Sequence, residues 1–347
     1  MRSCTPQCAV LGAVLAVVLT IAGGAVADLK AGGLPVKRLD PVAYAGWTNA
    51  YRLANDHVNV VIAAESGRVV HLSVADGDNV LVASQDAVGQ GNGGDTPRPW
   101  ADAGGNWMWP VAQEQWIKAT GVDWPPPEFL NERPWIGHAW RDDDDEMHCL
   151  VEQAYGAPLN IRVLRRFSLA ADSPQLIVTQ RIERTGESNI PVCLWNVSQV
   201  GTPDLVLLPV DPTSAFTNGY AGLLYPPTEG LTRLENNILK VQNVPGEFKI
   251  GSDSTRQWIA VQKGNTVIVT RAATHPEIAG DYPDGGCTLE VFGNDSVRQI
   301  ETLSVQVPLP AGDRIENTVR ISLHAVPNAE TDQAVIDAVR AIVGEKK

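Results

Sequence analysis

Apolar side chains recur at every second position through most of this chain. Between residues 175 and 183, Leu176, Val178, Gln180 and Ile182 fall on one side, the period of a strand with one buried face. Similar β-branched-rich runs cover 58–62, 68–74, 79–83, 160–169, 191–200, 258–262, 266–270, 288–292, 300–307 and 316–324. Turn-forming groups separate them, among them Glu65-Ser66-Gly67, Asp76-Gly77-Asp78, Thr185-Gly186-Glu187 and Lys263-Gly264-Asn265, residues that tolerate the conformations a chain reversal needs. Many strands joined by tight turns, with little helical pattern, predict an all-β antiparallel sandwich of two sheets. One short C-terminal helix is expected over about 329–343, where Val335, Ile336, Val339, Ile342 and Val343 share a face between a cap at Asn328 and Gly344. No internal repeat or linker-like tract divides residues 28–347, which read as a single domain.

Residues 1–27 have the pattern of a signal peptide: Arg2, an apolar run over 9–21 and the small-residue site Ala25-Val26-Ala27. The expectation is a secreted or periplasmic protein starting near Asp28. Its apolar leader is too short for a good membrane span. A net charge of −13 argues against nucleic acid or an anionic membrane surface as partner. Beyond the leader stand Cys149, Cys193 and Cys287. An odd number without metal-like spacing leaves room for one bridge or for buried free thiols. No nucleotide-binding glycine motif, H-E-x-x-H or nucleophile elbow is present, so no cofactor and no resident metal are expected.

Seven of the ten tryptophans lie between Trp100 and Trp140. Glycines, prolines and acidic residues surround them, so the stretch reads as a long shaped loop rather than regular structure. Aromatic rings interleaved with a few polar groups suit a sugar, whose C–H faces stack on rings while its hydroxyls need hydrogen bonds. The same rings could equally plug one end of a sandwich. Asp142 and Glu146 bound an acidic run that could attract Ca²⁺, but it lacks a spaced ligand loop and reads as a solvated face.

The order of the strands resembles the galactose mutarotase-like (aldose 1-epimerase-like) superfamily. The resemblance rests on LANDHVNVVIAAESGRVVHLSVADGDNVL at 53–81, Gly104-Gly105-Asn106-Trp107, RRFSLAADSPQLIVTQRIERTGESNIPVCLWNVSQV at 165–200, and IETLSVQVPLPAGDRIENTVRISL at 300–323. It implies a two-sheet β supersandwich with a carbohydrate ligand. It further implies a glutamate base acting on the anomeric hydroxyl, at Glu301, and a histidine acid acting on the ring oxygen. Val197 falls at the histidine's position, so the catalytic pair is modified.

His275 and His138 are the histidines that could supply the missing acid. Trp107, Trp109 and Trp135 are expected to stack on the sugar, beside Trp195. Asn196, Gln199 and Glu114 are expected to take hydroxyls, and Glu290, which alternates with Leu289 and Val291, is a second carboxylate expected on a polar outer face. His71 and His324 read as structural. The leading expectation is an exported carbohydrate-binding protein, with isomerase chemistry at the anomeric carbon left open. Two alternatives stand beside it. One is a polysaccharide lyase or glycoside hydrolase using Tyr282 or His275 beside a carboxylate. The other is a non-catalytic envelope domain whose tryptophans dock a protein.

Overall fold

Two antiparallel sheets, stacked face to face, absorb the alternating pattern. The computed structural model describes residues 37–84, 103–122, 135–273, 280–326 and 331–345. The expected signal peptide, Trp100, Trp124, His275 and Asn328 lie outside them.

The first sheet has eleven strands in the order β1 (Lys37–Leu39), β7 (Ile136–Arg141), β8 (Met147–Tyr155), β9 (Ile161–Leu169), β10 (Gln175–Arg184), β21 (Arg314–Ala325), β18 (Thr266–Ala272), β17 (Trp258–Lys263), β12 (Leu205–Pro209), β15 (Ile238–Val241) and β14 (Leu231–Leu234). The second has ten: β13 (Ala221–Leu224), β16 (Phe248–Ser252), β19 (Leu289–Gly293), β20 (Val297–Leu303), β11 (Trp195–Gly201), β6 (Asn106–Trp109), β5 (Arg68–Val74), β4 (Val58–Ala63), β3 (Trp47–Ala54) and β2 (Val42–Tyr44).

Alternation decides which side chains meet between the sheets. In β10, Leu176, Val178, Gln180, Ile182 and Arg184 are buried while their neighbours are half-exposed. Leu53, Val60, Ile62, Ile250, Val291 and Ile300 from the ten-stranded sheet pack against Val151, Phe167, Val178 and Ile321 from the other. Strands β6 and β11 are buried at every position. Both of their faces are therefore covered, as in strands at the centre of a layered fold.

The helix α1 (Gln113–Thr120) and the C-terminal helix α2 (Asp332–Val343) complement the sheets. Val335, Val339 and Val343 of α2 pack on Trp258, Val267 and Val269, on the outer side of the eleven-stranded sheet. Its cap is Thr331, whose hydroxyl accepts from the Ala334 amide, rather than Asn328. Thr331→Ala is expected to cost about 1 kcal/mol by urea denaturation, since one orphan helix donor loses its acceptor.

Three expectations shift. The tryptophan-rich stretch is partly regular structure, because Trp107 and Trp109 lie on β6, Trp116 on α1 and Trp140 on β7. Gly104 (φ 61°) and Gly105 (φ 78°) are the entry turn that threads β6 between β5 and β11. A Cβ at Gly104 would meet the Val82 carbonyl, and one at Gly105 the Val69 carbonyl, so both positions need glycine. The 300–307 run is offset, since β20 starts at Val297 and ends at Leu303. The 79–83 run forms only single bridges, Leu81 to Val200 and Ala83 to Gly104. Among the described residues no helix is long and apolar enough to cross a membrane.

Candidate functional site

One row of directly opposed residues crosses the middle of the ten-stranded sheet. Gly251 of β16 pairs with Glu290 of β19, Glu290 with Glu301 of β20, Glu301 with Val197 of β11, and Val197 with Trp107 of β6. Opposed residues point to the same face. Here that face is turned away from the other sheet, because the alternate positions Ile250, Val291 and Ile300 fill the core. Two residues along each strand, on the same face, stand Lys249, Gln299, Gln199, Trp195 and Trp109.

Lys249 organises the acidic end of the row. Its Nζ lies 2.6 Å from Glu290 Oε2, 3.2 Å from Glu301 Oε2 and 3.3 Å from Asp284 Oδ2. Its ammonium also sits 4.5 Å over the Trp195 ring. The Trp195 indole N–H donates to Glu301 Oε2 at 2.9 Å. Glu290 is fully buried and Glu301 is 2 % exposed, whereas the Lys249 side chain keeps 13 %. Asp284 arrives from a turn, Pro283–Gly286, in which Asp284, Gly285 and Gly286 all have positive φ.

Burial pushes the Glu290 carboxyl well above the ordinary carboxylate range. Lys249 opposes that shift, while Glu301 and Asp284 reinforce it. Burial alone would lower Lys249, but the three carboxylates outweigh it and hold the ammonium charged. Glu290 and Glu301 are thus two adjacent carboxyl groups with one cation between them, the first pushed toward its protonated form. Such an arrangement can accept one proton and donate another.

At the other end of the row, Trp107 is buried and its indole Nε1 has no hydrogen-bond partner. The Arg68 guanidinium lies 4.7 Å over its ring. Gln299 Nε2 donates to Gln199 Oε1 at 2.8 Å, so Gln199 shares the face of Glu301 and is held by its neighbour on β20. Trp109 is buried two residues beyond Trp107. Tyr282, half-buried beside the Asp284 turn, packs against the same apolar cluster as Trp107 and Trp195, and burial raises its phenol.

Four expected site residues lie elsewhere. Asn196 faces the sandwich interior, since it is adjacent in sequence to row residue Val197 and alternation sends it to the opposite side. There its Oδ1 accepts from Asn106 Nδ2 at 3.0 Å and from Gln180 Nε2 at 3.1 Å. Asn106 in turn accepts at Oδ1 from the fully buried Arg165 at 2.5 Å, and Arg165 also donates to Gly67 O at 2.6 Å. Trp135 packs against both core clusters and lies over Gly67, so its ring is structural filling. His138 is on β7 of the other sheet and stacks on Trp140, which stacks in turn on His148. Glu114 is exposed on α1, where its Oε1 accepts from Gln306 Nε2 at 3.3 Å.

The acidic run closes on itself. Asp142 Oδ1 accepts from the Glu146 amide, and Asp142 Oδ2 lies 3.1 Å from His148 Nε2. Asp142, Glu146 and His148 are near enough to share an ion, but Asp142 is already engaged by these partners. Cys149, Cys193 and Cys287 are free and buried. His71 is satisfied by Tyr44, Asn59 and Ser73.

The residues missed by sequence reasoning are Lys249 and the role of Asp284. A signal for Lys249 exists. In Phe248-Lys249-Ile250 the alternation buries Phe248 and Ile250 in the core, so a charged residue between them must face the opposite side of a central sheet.

No profile of a known protein family matches the chain, and no characterised protein matches it in sequence. Solved structures do resemble it. A galactose mutarotase-like protein from Lactobacillus casei aligns with TM-score 0.54 at 11 % identity, covering 80 % of this chain and 100 % of that one. A candidate aldose 1-epimerase from Klebsiella pneumoniae aligns with TM-score 0.57 at 11 % identity, covering 89 % and 86 %. Another from Escherichia coli K12 gives TM-score 0.54 at 12 % identity, over 80 % and 99 %. At such identities the likeness speaks for architecture alone. In fold, this chain is a galactose mutarotase-like β supersandwich.

Proposed function

We propose that the protein is exported and binds a neutral sugar against the row on the outer side of its ten-stranded sheet, beneath the segments that cover it, with Glu301 as the base at the anomeric hydroxyl. The observation that carries this reading is the continuous row of Trp107, Val197, Glu301 and Glu290 on one face. At one end it offers a buried indole N–H without a partner, and at the other a pair of carboxyls. A hydroxyl-rich ring can accept from the first and donate to the second, with aromatic rings and few convergent polar groups beside it. Lys249 is already engaged by the side chains of Glu290, Glu301 and Asp284, so it offers little to a phosphate or uronate. That favours an uncharged sugar.

Titration of the protein with a panel of neutral aldoses, followed by tryptophan fluorescence and saturation-transfer NMR, tests the reading. Saturable binding is expected, weakened at least tenfold in Trp107→Leu. Glucuronate and sugar phosphates should bind less well than their neutral parents. A wild-type response to none of the neutral sugars would overturn the proposal.

A further inference from the structure

We infer that Glu290 is the proton donor of this site, and that Glu290 and Glu301 act as one bifunctional acid–base unit that keeps a single proton throughout turnover. The inference rests on the sugar-binding reading above and adds its chemistry.

The argument starts from geometry. Ring opening of a cyclic hemiacetal requires a proton to leave the anomeric hydroxyl and another to reach the ring oxygen, and both oxygens are attached to one carbon. Donor and acceptor must therefore stand side by side. Glu290 and Glu301 are directly opposed on neighbouring strands and point to one face, which places their Cβ atoms roughly 4.5–5.5 Å apart. Val197, on the other side of Glu301, has no proton to give.

The environment divides their roles. Lys249 pairs with both, at 2.6 Å from Glu290 and 3.2 Å from Glu301, but only Glu301 also accepts from the Trp195 indole, a contact that suits an anion. Glu290 is fully buried, and a side-chain hydrogen bond with Glu301 favours its protonated form. Its carboxyl is pushed up chiefly by that burial, the direction a proton donor needs.

The step balances without any outside reagent. Glu301 removes the proton from the anomeric hydroxyl, whose O–H electrons form the carbonyl. The bond between the anomeric carbon and the ring oxygen breaks, and that oxygen takes the proton of Glu290. The pair has exchanged roles and still carries one proton. After rotation about the bond to the carbonyl carbon, the reverse transfers close the ring on the other face and give the second anomer. No bulk proton is needed, which matches the burial of both groups. Lys249 stays an ammonium and stabilises whichever carboxyl is ionised.

The test is NMR exchange between anomers for each neutral aldose that binds, as a function of pH, for wild type, Glu290→Gln and Glu290→Asp. Wild-type kcat/KM should follow a bell, and its alkaline limb should report loss of the shared proton. Glu290→Gln should lower kcat about 100-fold or more, leave sugar affinity within a few-fold of wild type and abolish the alkaline limb. Glu290→Asp should restore part of the rate and the limb. Near-UV circular dichroism checks folding, and if the glutamine variant is misfolded, the wild-type profile and the aspartate variant decide. An alkaline limb that persists in Glu290→Gln would assign the proton to another group, His275 among them, and overturn the inference. So would wild-type binding with no exchange on any sugar, an outcome that leaves the binding reading standing. Absence of binding would remove both.

Discussion

Lys249→Met is expected to destabilise the fold by about 3–5 kcal/mol, the cost of removing one partner from a buried ionic cluster. Lys249 is the cation within ion-pair distance of Glu290, Glu301 and Asp284. Methionine keeps most of the stem's packing over Trp195 but leaves buried acids without compensation. The loss should depend on pH. Glu290 has a folded-state pKa above its unfolded value. The native state therefore holds that proton more tightly, and wild-type stability contributed by this group falls as pH rises from the ordinary carboxylate range through the raised value. Without Lys249 the remaining acids bind protons still more readily. The penalty should be largest at neutral pH and shrink toward pH 4, where protonated carboxyls need no cation. Urea denaturation across that range checks the sign. A penalty below about 1 kcal/mol at pH 7, or one that grows in acid, would mean that the cluster is solvated and weak. The double variant Lys249→Met, Glu290→Gln should recover part of the loss, because the two positions couple.

Glu301→Gln is expected to lower anomer interconversion by about 10²–10⁴-fold, the usual contribution of a general base, while sugar binding changes little. Glutamine is nearly isosteric and can still accept from the Trp195 indole at its amide oxygen, so packing should survive. What it cannot do is take a proton. An unchanged kcat with a raised KM would demote Glu301 to a binding contact. Equal rates in wild type and variant on every sugar would remove the epimerase chemistry altogether.

Much of the architecture is legible in the chain because alternation is a local property. The period of Leu176, Val178, Gln180 and Ile182 specifies a strand and its buried face wherever that strand docks. The same rule places Glu301 on an enclosed face, since it shares a side with Leu303. It also separates Asn196 from Gln199, a distinction the motif-based assignment lost by treating 195–199 as one patch. Two kinds of information were not local. Which of Glu114 and Glu290 would neighbour Glu301 depends on the pairing of β19 with β20. The clustering of tryptophans in sequence carries over only in part: among the described residues Trp107, Trp109 and Trp116 share one buried cluster, while Trp140 lies apart from it. Trp135 fills space over Gly67, Trp140 stacks between histidines on the far sheet, and Trp195, from a distant segment, reaches Glu301. Lys249 escaped notice because β16 is a short strand among weakly patterned turns, although its flanking Phe248 and Ile250 carry the clue.

The row across the ten-stranded sheet also bears on how the chain reaches its native state. Trp195 and Glu301, in hydrogen-bond contact, are 106 positions apart in sequence, and Asn106 meets Asn196 across a span of 90. Closing such loops costs entropy before any contact repays it, and folds dominated by distant pairings form slowly. Strand β6 comes from the first third of the chain, β11 from the middle, and β19 and β20 from the last. The acid pair with its lysine, Trp195 and Trp107 therefore come together only when all three regions have docked. No contiguous fragment short of nearly the full strand set can carry the site, and proteolytic nicking between β6 and β20 should abolish ligand binding wherever it releases one of those strands.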